Sequence, residues 1–180
     1  MSQAFPPPQQ PAGQNPFGQQ PAGDGAFAPQ PAPARSGNVA LGVAVGIVAM
    51  IAGAAAYGGL MRAFGKEDGT YTEIGYIAVG VGALIGFVVG KLGGRNPALP
   101  IVSAVLGVIG VVLGQIFGMA LLASWWFEIQ LGQEISVIDL LTENPGDTFK
   151  AWREEADVMT WLFLAIGGIV GFTSAKKAGN

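Results

Sequence analysis

The sequence predicts an all-α membrane protein in which four transmembrane helices pack through glycine-zipper faces, behind a disordered N-terminal tail. Three observations carry that prediction. Four long apolar segments occupy residues 38–180, with charges only at their edges. Inside several of them glycine returns every fourth residue, as in GVGALIGFVVGKLGG, where it stands at positions 82, 86, 90 and 94. The first 37 residues, by contrast, hold 9 of the 12 prolines, a cluster of glutamines and only two charges, Asp24 and Arg35.

The tail, residues 1–37, repeats QQPAG at 9–13 and 19–23. A stretch this poor in large aliphatics cannot bury enough surface to offset its chain entropy, so it is predicted to be disordered with polyproline II character. It reads as a cytoplasmic spacer. Pro8-Gln9-Gln10-Pro11 also fits a PxxP ligand, and Phe5, Phe17 and Phe27 offer weak self-association points. The first 20 residues lack a basic start and an apolar core, so a cleavable secretory signal is not expected, and the first apolar segment would act as the start-transfer anchor.

That first segment runs from Val39 to Met61 without a charge. The second, about 74–92, has its uncharged run from Ile74 to Gly90, closed by Glu73 and Lys91. The third, about 98–126, opens with Pro97 and Pro100, where a helix tolerates proline. The fourth is about 158–175. About 17 to 25 apolar residues cross a bilayer core, and the third segment is long enough to tilt or project. Four helices of a soluble bundle would need polar faces, which these segments lack.

Orientation follows from the flanks. With the tail inside, Arg35, Lys91, Arg95, Lys176 and Lys177 face the cytoplasm, and Arg62, Lys66, Lys150 and Arg153 lie outside among acids. Positive-inside bias and the acid-free loop KLGGRNP place both termini in the cytoplasm. Tyr57, Tyr71, Tyr76, Trp125, Trp126, Trp152 and Trp161 gather near the outer ends, as expected of an aromatic belt. The acidic outer loop, about 128–157, is predicted to hold a short helix from Ser136 through VIDLLTE, opened by a Ser136/Asp139 capping box. A turn at Asn144-Pro145-Gly146 follows, and then an interfacial helix with Phe149, Trp152, Ala156 and Met159 on one stripe leads into the fourth span.

In lipid, hydrophobicity gives helices no net reason to associate, so small residues that let backbones approach mark the contact faces. The candidate packing positions are Gly82, Gly86 and Gly90 in the second span, Gly110, Gly114 and Gly118 in the third, and Gly167 and Gly171 in the fourth. Gly42 and Gly46 form a shorter set in the first span, and Ser103 with Gly107 a further pair in the third. These faces could serve packing within the chain, or present a zipper to neighbouring subunits from spans two and three. Gln115, near the middle of span three, is the candidate intramembrane polar contact, with a cross-helix hydrogen bond, or a polar pore or ligand contact, as its uses.

Several classes of chemistry are disfavoured. The chain has no histidine and no cysteine, so the usual metal ligands, the commonest general base and the thiol nucleophile are missing. Gly90-Lys91 lacks the flanking residues of a phosphate loop, and the Gly80-Val81-Gly82 run lacks the third glycine of a dinucleotide site. No Asp, Glu, Lys or Arg lies inside the spans, only at their ends, which argues against proton pumps and ion-coupled transport. The outer acids lack EF-hand spacing. No stretch is basic enough for nucleic acid. No catalytic residue, cofactor or metal is therefore expected, and the partners expected are the lipid bilayer and either further copies of the chain or another membrane protein.

A QQPAG-type tail ahead of a small glycine-rich core of four spans resembles small bacterial membrane proteins of the actinobacterial type with Pro/Gln/Gly-rich N-terminal tails. The resemblance is compositional and carries over no functional residue. The expectation is a multi-pass protein of the bacterial plasma membrane with a non-enzymatic role, as a scaffold or accessory subunit. A small oligomeric channel or transporter subunit is the alternative.

Overall fold

Helix α1, Val39–Ala63, begins where Asn38 accepts a hydrogen bond from the Leu41 N–H (3.1 Å) and donates its own N–H to the Leu92 carbonyl (3.0 Å). The computed structural model of the 180-residue chain describes residues 37–66, 75–143 and 145–180. The predicted disorder of the tail and the tyrosine at position 71 lie outside those residues. The other long helices are α2 (Gly75–Gly93), α3 (Ala98–Leu131) and α6 (Val158–Ala178); two short ones, α4 (Val137–Thr142) and α5 (Pro145–Glu155), stand between α3 and α6. Among the described residues there is no strand. All four long helices are long and apolar enough to cross a membrane. The protein is a multi-pass, all-α membrane protein.

Local chemistry fixes the ends. Gly94 takes the left-handed conformation (φ 75°) that only glycine adopts without strain, and its N–H caps α2 by donating to Gly90. Gly94 therefore terminates the helix rather than extending the glycine stripe. Gly132 (φ 65°) ends α3 in the same way, donating to Glu128. The third span and the first residues of the acidic loop are thus one continuous helix to Leu131. The Ser136 hydroxyl caps α4, although its bond is to the Ile138 N–H. Pro145 and Gly146 are not a turn: they form the first turn of α5, where proline's missing N–H costs nothing. The expected helix leading into span four is interrupted at Ala156 and Asp157, because the Asp157 carboxylate caps α6 by accepting from the Thr160 N–H (2.8 Å).

The four long helices form a ring in the order α1, α2, α6, α3, with α2 and α3 also touching across the middle; α1 and α6 do not touch. Pairs consecutive in sequence run antiparallel, so α1 is parallel to α3 and α2 to α6. The four overlap over the length of α2. At 1.5 Å per residue its 19 residues span ~28 Å, close to the ~30 Å of a hydrocarbon core. The 34-residue α3 is ~51 Å long by the same measure and projects well past α2 and α6. Helices α4 and α5 fold back beside this projection, forming a cap at one end. Lys91, Arg95, Lys176 and Lys177 mark the other, basic end.

Candidate functional site

The proposed packing glycines all lie buried inside the single chain, and they are used in two physically different ways. Between α2 and α6 the contact is backbone on backbone. A methyl group placed on Gly82 would run into the Gly167 carbonyl oxygen, one on Gly86 into that of Gly171, and one on Gly90 into that of Ala175. The offset is constant, as two parallel helices with the same four-residue spacing require. Between α3 and α1 the glycines are notches for side chains instead. A methyl on Gly110 would lie 3.1 Å from Met50 Cγ, one on Gly114 2.6 Å from Tyr57 Cβ, and one on Gly118 2.6 Å from Met61 Sδ.

Gly167 and Gly171 also face α3. A methyl on Gly167 would lie 3.2 Å from Val111 Cγ2, and one on Gly171 2.8 Å from the Ser103 carbonyl oxygen. The glycine rows of spans two and three are therefore occupied within the chain and not displayed to neighbours.

Gln115 stands where the four-helix overlap ends, level with the start of α6, and not at its centre. It is 2 % exposed, and its two neighbours are equally enclosed, Tyr57 at 1 % and Trp152 at 4 %. The Trp152 indole N–H donates to Gln115 Oε1 at 2.9 Å, and Gln115 Nε2 donates to the Tyr57 hydroxyl at 3.4 Å. Trp152 comes from α5, so a residue of the cap reaches into the bundle and satisfies the span's buried amide. Its ring packs on Phe149 (5.3 Å between centroids) and edge-on to Trp161 (6.0 Å). A buried amide needs such partners, because an unpaired polar group in an apolar interior costs about 1–3 kcal/mol.

Two aromatics assigned to an interfacial belt, Tyr57 and Trp152, are thus internal. Tyr76, 85 % exposed, and Trp161, about half exposed, do lie on the surface. Trp125 sits beneath the Arg62 guanidinium, 3.7 Å from the ring centroid, a cation–π contact beyond the overlap. Of the predicted interfacial stripe, only Trp152 is buried, while Phe149 and Met159 remain about half exposed. Below the cap, between α1, α3 and α5, an apolar groove of about 570 Å³ is lined by Ile51, Ala54, Leu113, Phe117 and Phe149 among others.

Comparison with protein families, with curated proteins and with solved structures finds no match. Among the described residues no three His, Cys, Asp or Glu side chains gather where they could hold a metal ion. The Asp157 carboxyl is held below the usual carboxylate range, first by the Thr160 backbone N–H and then by the Thr160 hydroxyl. It is a helix cap.

Sequence reasoning missed the partners of Gln115. Trp152 lies 37 residues away in the chain, and nothing local distinguishes a tryptophan that anchors a cap from one that floats at an interface. It also passed over Gly58 and Gly93, which face α3: a methyl on Gly58 would lie 2.9 Å from the Gly118 backbone nitrogen, and one on Gly93 would strike the Leu99 side chain.

Proposed function

We propose that this chain is a non-enzymatic scaffold or accessory subunit of the bacterial plasma membrane, with both termini cytoplasmic, that packs against a second copy or another membrane protein. One observation carries the reading. The glycine-rich faces of α2, α3 and α6 are consumed internally, while among the described helices α1 touches only α2 and α3 and leaves Ala52, Ala55, Ala56 and Gly59 exposed. Small residues facing lipid let a partner helix come close, which is how helices associate where hydrophobicity gives no net drive. The packing face offered to partners is accordingly on α1, and the glycine rows are the internal glue.

The channel alternative finds less support. Val81, Ile85 and Val111 fill the space where α2 and α3 meet across the ring, each 4 % exposed or less. Gln115, the one side chain suggested as a pore lining, is closed off by Tyr57 and Trp152. The basic end, with Lys91, Arg95, Lys176 and Lys177, supports placing that end on the cytoplasmic side.

The reading is tested by native size in lipid nanodiscs prepared directly from membranes. The expected result is an assembly larger than one chain that falls to monomer size in an Ala55→Leu/Ala56→Leu variant with unchanged unfolding. A monomer in the unaltered protein, or an assembly indifferent to these two substitutions, contradicts it.

A further inference from the structure

We propose that the basic end of the bundle holds a binding site for the phosphodiester headgroup of an anionic phospholipid. The site is a cavity of about 510 Å³ between the α2–α3 turn and the last turns of α6, lined by Arg95, Asn96, Pro97, Pro100, Phe172 and Lys176. It joins two cationic side chains to apolar walls at the level where the helices end.

The side-chain charge there is of one sign, and Asn180 also lines the cavity. Among the described residues, every Asp and Glu falls between Glu128 and Asp157, at the cap end. Neither Arg95 nor Lys176 has a carboxylate within ion-pair distance among them; the ion pair seen is Lys150–Glu154, on exposed α5. Two cations without acidic partners beside one cavity attract an anion, and guanidinium is suited to holding phosphate oxygens in a fork.

The start of α3 does not supply the recognition. Pro97 and Pro100 have no N–H to give, and the Ala98 N–H is already donated to Asn96 Oδ1 at 2.9 Å. Binding must therefore come from the side chains. Basic residues in the last turns of α2 and α6 also offset the helix dipoles, and that role alone would need no ligand. Arg95 lies beyond the last turn of α2, so that role does not account for it, and it shares the cavity with Lys176.

The apolar wall selects a lipid over a free anion. Phe172 lines the cavity and is also exposed on the surface of α6, so an acyl chain can follow that helix while its headgroup meets Arg95 and Lys176. Basic pockets between spanning helices at the cytoplasmic face suit anionic headgroups on the same grounds.

Native mass spectrometry of the full chain in neutral detergent provides the test, with phosphatidylglycerol and phosphatidylcholine of matched acyl chains as probes. Two basic side chains predict a preference for phosphatidylglycerol of roughly thirtyfold. Arg95→Gln/Lys176→Gln should abolish it, Arg95→Lys should keep most of it, and Lys150→Gln/Arg153→Gln on the cap should leave it intact. No preference, or a preference that survives the Arg95/Lys176 pair, overturns the proposal. A separate arm adds millimolar inorganic phosphate. No displacement of the lipid is expected, and displacement that depends on Arg95 and Lys176 would make this a free-anion site instead.

Discussion

Replacing Gly86 with alanine isolates the contact that holds α2 to α6. The added methyl would meet the Gly171 carbonyl oxygen, with Ser174 Cβ at 2.8 Å and the Ala175 nitrogen at 3.0 Å. Two of these three are backbone atoms, which no rotamer change can move aside. The helices must separate, and overpacking of this kind costs about 1–3 kcal/mol. Gly80 lies on the same helix with nothing within 4 Å of a methyl. Both substitutions gain the same intrinsic helix preference, about 1 kcal/mol in water, so their difference removes that contribution and leaves the steric one. Gly86→Ala should therefore be less stable than Gly80→Ala by about 1–3 kcal/mol, read from unfolding in mixed micelles followed by circular dichroism. Val89 is no substitute as a comparator, because it is fully buried and fills the space beside Gly46. Equal stability of the two variants would refute a backbone contact at Gly86.

Four other outcomes follow from the geometry. Trp152→Phe and Gln115→Leu should each destabilise by about 1–3 kcal/mol by stranding the other's polar atom, and the double variant should recover part of the loss; strictly additive losses would contradict the hydrogen bond. Gly94→Ala should cost about 1–2 kcal/mol through its left-handed backbone, measured by the same unfolding assay. Ser103 Oγ is buried without a partner among the described residues, so Ser103→Ala should be neutral or mildly stabilising. Because folding lowers the pKa of Asp157, its contribution is present above the ordinary carboxylate value of 3.8 and fades as pH falls through the lowered one. Thermal midpoints should fall in that acid window for the native chain more than for Asp157→Ala, and Asp157→Asn should retain much of the cap.

The four long helices were legible because their signal is a property of continuous sequence: uncharged apolar runs bounded by proline, glycine and charge. The four-residue glycine spacing was legible too, but not its partners. The same pattern makes backbone contact in Gly82, Gly86 and Gly90 and a row of notches in Gly110, Gly114 and Gly118. Which of the two arises depends on whether the facing residue is Gly171 or Tyr57, a long-range fact. Gln115 stood out as a polar residue in an apolar run. It does stand near the middle of α3, but α3 continues beyond the other helices, so the middle of that segment is the edge of the bundle. Amphipathic spacing reads the second cap helix as interfacial. Burial of one residue, Trp152, also packs it onto the bundle, and no periodicity encodes that.

Ion flux into liposomes carrying the purified full-length chain tests most directly whether this bundle packs or conducts. With Val81, Ile85 and Val111 filling the centre and Gln115 enclosed by Tyr57 and Trp152, flux should equal that of empty vesicles, and Gln115→Leu should leave it there while lowering stability. Reproducible single-channel currents that disappear in Gln115→Leu would contradict the closed bundle and establish a conducting path past that residue.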